Sequence, residues 1–150
     1  MLTTEEMTDG IYKTMKLENN WRHKSLENLD KNIRTALSLD ESSRLIKTCD
    51  SLRKKPLQDF TTEDLRVMIG QEIGLSFLIP LAIEIFQNDL FAEGDMYEGD
   101  LLKNVLEVKT KFWDENKEYW RELNNIIKDR RNEIAKIGVN ISKFDNCKHK

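Results

Sequence analysis

From Ile73 to Phe86 the chain reads IGLSFLIPLAIEIF, fourteen residues of which only Glu84 is charged. A run like that cannot lie on a surface. Read as a helix from about Leu75 to Asn88, it is apolar on nearly every side, so it belongs at the centre of the fold with other elements around it. It is too short, and too interrupted by Gly74, Pro80 and Glu84, to cross a bilayer. Pro80 is expected to kink the helix or to mark its first full turn.

The rest of the chain supplies amphipathic partners for that helix. Met7, Ile11 and Met15 recur at spacings of four and predict a first helix over Thr4 to Leu17. Trp21 precedes a second, with Leu26, Leu29, Ile33 and Leu37 on one face. Asp40 is placed to cap a third, with Leu45, Ile46, Cys49 and Leu52 inward and Pro56 at its end. Thr61, followed by Glu63 and Asp64, is the clearest helix start in the sequence, and Gly74 is placed to stop that fourth helix. After the central helix, Asp89 to Gly99 reads as a loop, and a sixth helix from Asp100 buries Leu101, Leu102, Val105, Leu106 and Val108. A last long helix is expected over Phe112 to Ile137, with Trp113, Trp120, Leu123, Ile127 and Ile134 at helical spacing and Asp114 as its weak point. Gly138 ends it, and Val139 to Lys150 reads as a loose tail.

No stretch alternates with period two, and 150 residues hold only six glycines and two prolines. The fold class is therefore all-α: a single-domain bundle of about six to seven helices around 75–88.

Chemistry is scarce. His23 lies in a charged stretch and His149 one residue from the end, and neither has a neighbour at triad or metal-site spacing. No H-E-x-x-H, C-x-x-C, phosphate-cradling glycine loop or G-x-S-x-G occurs. Cys49 and Cys147 are too few for a disulfide framework and read as free thiols. No catalytic residue, cofactor site or metal site is expected, so the chain reads as non-enzymatic. The opening MLTTEEMTDG is not a signal sequence, which with the absence of a membrane span gives a cytoplasmic expectation. Acids intermixed with bases and a pI near 5.5 exclude nucleic acid as a partner.

One quarter of the chain breaks the charge balance. Between Arg66 and Lys103 there is no lysine or arginine, yet there are seven acids: Glu72, Glu84, Asp89, Glu93, Asp95, Glu98 and Asp100. Something basic must answer them, either elsewhere in the fold or on a partner. An EF-hand fails, because the third position is Phe91 counted from Asp89 and Tyr97 counted from Asp95. A metal-dependent carboxylate hydrolase has no supporting residues beyond the acids. The acids are interleaved with aromatics, which suits an interface where an aromatic anchors and the charges steer. The candidate partner-binding residues are Asp89, Phe91, Glu93, Asp95, Tyr97, Glu98 and Asp100. Asp100 has a competing assignment, as a cap of the sixth helix.

Several segments together resemble a known family: Leu52-Arg53-Lys54-Lys55-Pro56-Leu57, Asp59-Phe60-Thr61, Glu63-Asp64-Leu65-Arg66, Met68-Ile69-Gly70-Gln71, Gly74-Leu75, Leu78-Ile79-Pro80-Leu81-Ala82 and Glu93-Gly94-Asp95-Met96-Tyr97-Glu98-Gly99-Asp100-Leu101-Leu102. They look like the immunity proteins of bacterial contact-dependent growth inhibition systems, over roughly residues 24–106. The resemblance implies a cytosolic protein that neutralises the toxic C-terminal domain delivered by a sibling cell. Many such toxins are nucleases with basic surfaces, which suits the acidic window. Arg66 and Gln71 are expected to pair polar groups inside the fold. The competing reading is a structural or regulatory helical module that self-associates through its tryptophan-bearing C-terminal helix.

Overall fold

The computed structural model describes residues 20–29 and 44–147. Among these the α-helices are α1 (Leu26–Leu29), α2 (Arg44–Arg53), α3 (Thr62–Gly70), α4 (Leu75–Asn88), α5 (Asp100–Leu106), α6 (Thr110–Glu115), α7 (Lys117–Ile127), α8 (Arg131–Lys136) and α9 (Ser142–Asp145), with short 3-10 turns at Trp21–His23 and Leu57–Asp59. No strand occurs among the described residues, so the all-α expectation holds. The helix expected over 4–17, the residues Ile33, Leu37 and Asp40, and His149 lie outside the described residues. No described helix is long and apolar enough to cross a membrane.

The apolar run forms α4 with the bounds its composition predicts. Leu75, Phe77, Leu78, Ile79, Ala82, Ile83 and Phe86 are all buried, and α3, α5 and α7 pack against it. Pro80 sits in the second turn, and the helix runs on to Asn88.

Ahead of it, α3 starts where Thr61 predicts, through a reciprocal capping box. Asp64 N donates to Thr61 Oγ1 (3.1 Å), and Thr61 N donates to Asp64 Oδ2 (3.1 Å). The helix ends at Gly70, earlier than Gly74 suggested. Gly74 instead precedes α4 at φ +67°, where an added Cβ would lie 2.8 Å from the Leu26 side chain. A second close approach fixes α3 against α5. Asn104 Nδ2 donates to the Arg66 carbonyl (2.9 Å), and Gly70 leaves room for that amide.

The C-terminal region departs most from expectation. The long helix predicted over 112–137 is divided into α6, α7 and α8. The first break falls at Asn116, two residues past Asp114, where the backbone leaves the helical region (φ −136°, ψ 58°) and the buried amide donates back to Phe112 O (2.9 Å). The second falls at Lys128–Arg130. These breaks turn the chain back on itself, and Val139 to Cys147 is no loose tail. Phe144 is fully buried; it stacks on Trp120 (centroids 5.1 Å apart), meets Trp113 edge-on (5.2 Å), and its carbonyl accepts from Trp120 Nε1 (2.9 Å). Arg131 forks onto Asp145 with two bonds of 2.9 Å. The tryptophan stripe is core, so it offers no face for self-association.

Candidate partner-binding loop

The chain leaving α4 makes a loop, residues 89–99, before entering α5. Its base is anchored by Leu90 and Ala92, both buried, and closed by Gly99 N donating to Phe91 O (3.1 Å). Gly99 adopts φ +85°, and a Cβ there would come within 2.5 Å of Ile137 Cδ1. Only glycine meets both conditions.

Two carboxylates then gather the backbone of the tip. Asp100, at the start of α5 and 2% exposed, accepts Gly94 N on Oδ1 (2.7 Å), and Met96 N (2.9 Å) and Tyr97 N (3.2 Å) on Oδ2. Glu63, on the first turn of α3, accepts Asp95 N on Oε1 (2.8 Å). Four consecutive N–H groups, 94 to 97, are thereby satisfied by side chains from two helices. Arg66, one turn along α3, lies between the two acids. Its Nε donates to Glu63 Oε1 (2.7 Å), its Nη2 to Oε2 (2.5 Å), and its Nε stands 3.8 Å from Asp100 Oδ2. The bond from Arg66 holds the Glu63 carboxyl below its ordinary range, aided by the Asp95 N–H and opposed by partial burial. The same bond raises Arg66 further above its ordinary value.

The sequence-predicted residues separate into two groups. Asp89, Glu93, Asp95 and Glu98 are exposed, and none makes an ion pair with a cation among the described residues. Asp89 follows the C-terminus of α4, where the helix dipole adds to its negative field instead of offsetting it. Tyr97 is 44% exposed beside them. Asp100 and Phe91 do not share that surface. Asp100 is turned inward onto the loop backbone, and Phe91 is half-buried against the core with the Arg130 guanidinium 5.2 Å over its ring. Arg66 pairs inside as expected, whereas Gln71 is exposed.

Sequence reasoning missed Met96, which at 61% is the most exposed large apolar side chain among the described residues. The available signal was its position between Asp95 and Tyr97, where no helical spacing claims it for the core. In the sequence Glu63 shows only as a charge favouring the start of α3. The other three acids of the cation-free window are answered within the fold: Glu72 by Lys109 (3.4 Å), Glu84 by Arg22, and Asp100 by Arg66. Among the described residues no three of His, Cys, Asp or Glu are grouped to hold a metal ion.

The arrangement is thus a loop with a fixed backbone, displaying an adjacent Met–Tyr pair among four exposed carboxylates that form no ion pair among the described residues. Such a surface can steer a cationic partner and anchor it through the Met–Tyr pair. Compared with known protein families, residues 19–123 match one described as CDI immunity proteins, a span that includes the whole loop and both supporting helices. No curated protein and no solved structure matches the chain.

Proposed function

The chain belongs to the CDI immunity proteins, and we propose that it neutralises its cognate toxin domain by binding it through the 89–99 loop, without catalysis of its own. The observation that carries this reading is the set of four exposed carboxylates, Asp89, Glu93, Asp95 and Glu98, which form no ion pair among the described residues and surround the exposed Met96 and Tyr97. Unpaired acids raise the rate of encounter with a cationic surface, and a desolvated aromatic or methionine holds the complex once formed. The partner they fit is a toxin with a basic surface, and a nuclease is the reading we favour, because its substrate-binding face must carry cations for a phosphate backbone. Bound there, the carboxylates would occupy positions that phosphates otherwise take. The protein would act in the cytoplasm, where an incoming nuclease meets its substrate.

Co-expression with a cognate toxin domain of a contact-dependent growth inhibition system tests the reading. The wild-type chain should restore growth, and the double variant Glu93→Lys/Glu98→Lys should protect poorly and associate at least tenfold more slowly at low salt. Unchanged association and salt dependence in a folded double variant would overturn the assignment of this surface.

A further inference from the structure

The acidic loop is not held by its own residues alone. Loops that recognise partners are commonly loose and pay an ordering cost on binding. Here the N–H groups of Gly94, Asp95, Met96 and Tyr97 all point onto the carboxylates of Asp100 and Glu63, which stand on α5 and α3. Asp100 is the more telling of the two. A carboxylate with 2% exposure is costly to bury, and this one is compensated by three backbone donors and by Arg66 at 3.8 Å. Gly94 belongs to the same device, since a Cβ there would lie 2.7 Å from Glu63 Oε1, 3.2 Å from Asp100 Oδ2 and 3.3 Å from Glu63 Cα.

We propose that Glu63, Arg66 and Asp100 are positioning residues for toxin recognition: they hold Gly94 to Tyr97 in the binding shape before the toxin arrives. The inference rests on the reading of the loop as the binding surface. It adds that Asp100 acts from inside and never touches the partner. Two acids of one short segment, Asp95 and Asp100, then have opposite tasks, one facing the partner and one facing the loop backbone. Arg66 keeps Glu63 and Asp100 from repelling one another across that backbone. A loop fixed in this way is fully populated in its competent form, so apparent affinity is not reduced by the fraction of competent molecules.

The test uses the full chain and two kinds of variant. Asp100→Asn keeps the shape of the side chain but puts an N–H₂ where backbone donors arrive. Gly94→Ala crowds both carboxylates and leaves every charge in place. Glu93→Gln serves as the reference for losing one exposed negative charge. In the free wild-type protein the amides of residues 94–97 should exchange at least a hundredfold more slowly than expected for the same residues in an unstructured chain. In Gly94→Ala and Asp100→Asn that protection should fall, and association with the cognate toxin domain should slow about tenfold, as a competent fraction of one tenth requires. Gly94→Ala should leave the salt slope of the association rate as in wild type, which separates positioning from steering.

Fast exchange of these four amides in the wild-type protein would overturn the proposal. So would association of Gly94→Ala at the wild-type rate despite lost protection. If Asp100→Asn does not fold, Gly94→Ala decides alone. The reading of the surface itself fails on a different result: Glu93→Lys/Glu98→Lys binding as wild type does. Should that double variant bind weakly while Gly94→Ala binds normally, the surface stands and the positioning role falls.

Discussion

Asp95, Tyr97 and Asp100 lie within six residues, yet only the surroundings of each decide what it does. The side chains of Tyr97 and Met96 are exposed, so truncating either should leave thermal stability within about 0.5 kcal/mol. If they anchor the toxin, Tyr97→Ala and Met96→Ala should each raise the dissociation rate by a factor of at least five to ten, an effect of about 1 kcal/mol or more. Surface plasmon resonance checks this directly, and unchanged dissociation in both variants would remove them from the interface. Glu63 offers a second measurement. Because Arg66 lowers its folded pKa, its contribution is complete above the ordinary Glu value of about 4.3 and fades as pH falls through the lower folded value. The Asp95 amide resonance, bonded to that carboxylate, should therefore titrate with a midpoint below that of an ordinary Glu, and Arg66→Gln should move the midpoint upward. A midpoint at or above the ordinary value in the wild-type protein would contradict the bond.

At the scale of elements, α3, α4 and α5 were readable because their signals are local. Thr61 and Asp64 are three residues apart, the apolar run is continuous, and Leu101, Leu102, Val105 and Leu106 keep helical spacing. The C-terminal breaks were not readable, because they depend on contacts made far along the chain. Asn116 leaves the helix with its amide on Phe112 O, and the fold-back that follows is held by Phe144 between Trp113 and Trp120. In the sequence, Phe144 is flanked by Ser142, Lys143, Asp145 and Asn146, and its apolar neighbours at spacings of three, Ile141 and Cys147, make too short a pattern to predict a core-bound turn. Its replacement is accordingly informative: Phe144→Ala should cost about 3–5 kcal/mol, whereas a loose tail would lose almost nothing. Urea titration of the two proteins separates these outcomes. Gly99 is the corresponding element-level test for the loop. Gly99→Ala must accept φ +85° and a 2.5 Å approach to Ile137, so a loss of at least about 1–2 kcal/mol is expected, together with weakened toxin binding.

For the whole molecule, the missing cations between Arg66 and Lys103 announced a negative region, but not which acids would form it. The cations that answer Glu84 and Glu72 come from Arg22 and Lys109, 62 and 37 residues away, and no sequence spacing forecasts such pairs. Within that window, the acids left without an ion pair among the described residues all belong to one loop, and exposed charges of this kind are screened by salt, with a Debye length of about 10 Å at 0.1 M. Steering by those charges and anchoring by Met96 and Tyr97 are therefore separable in one experiment. Neutralising Asp89, Glu93, Asp95 and Glu98 together should flatten most of the salt dependence of the association rate. At high salt, where the charges are screened in both proteins, the variant and the wild type should associate at similar rates, and dissociation should change far less than in Tyr97→Ala. A salt slope that survives the fourfold change would mean that the field guiding the toxin originates elsewhere on the molecule, and the loop would be left with a contact role only.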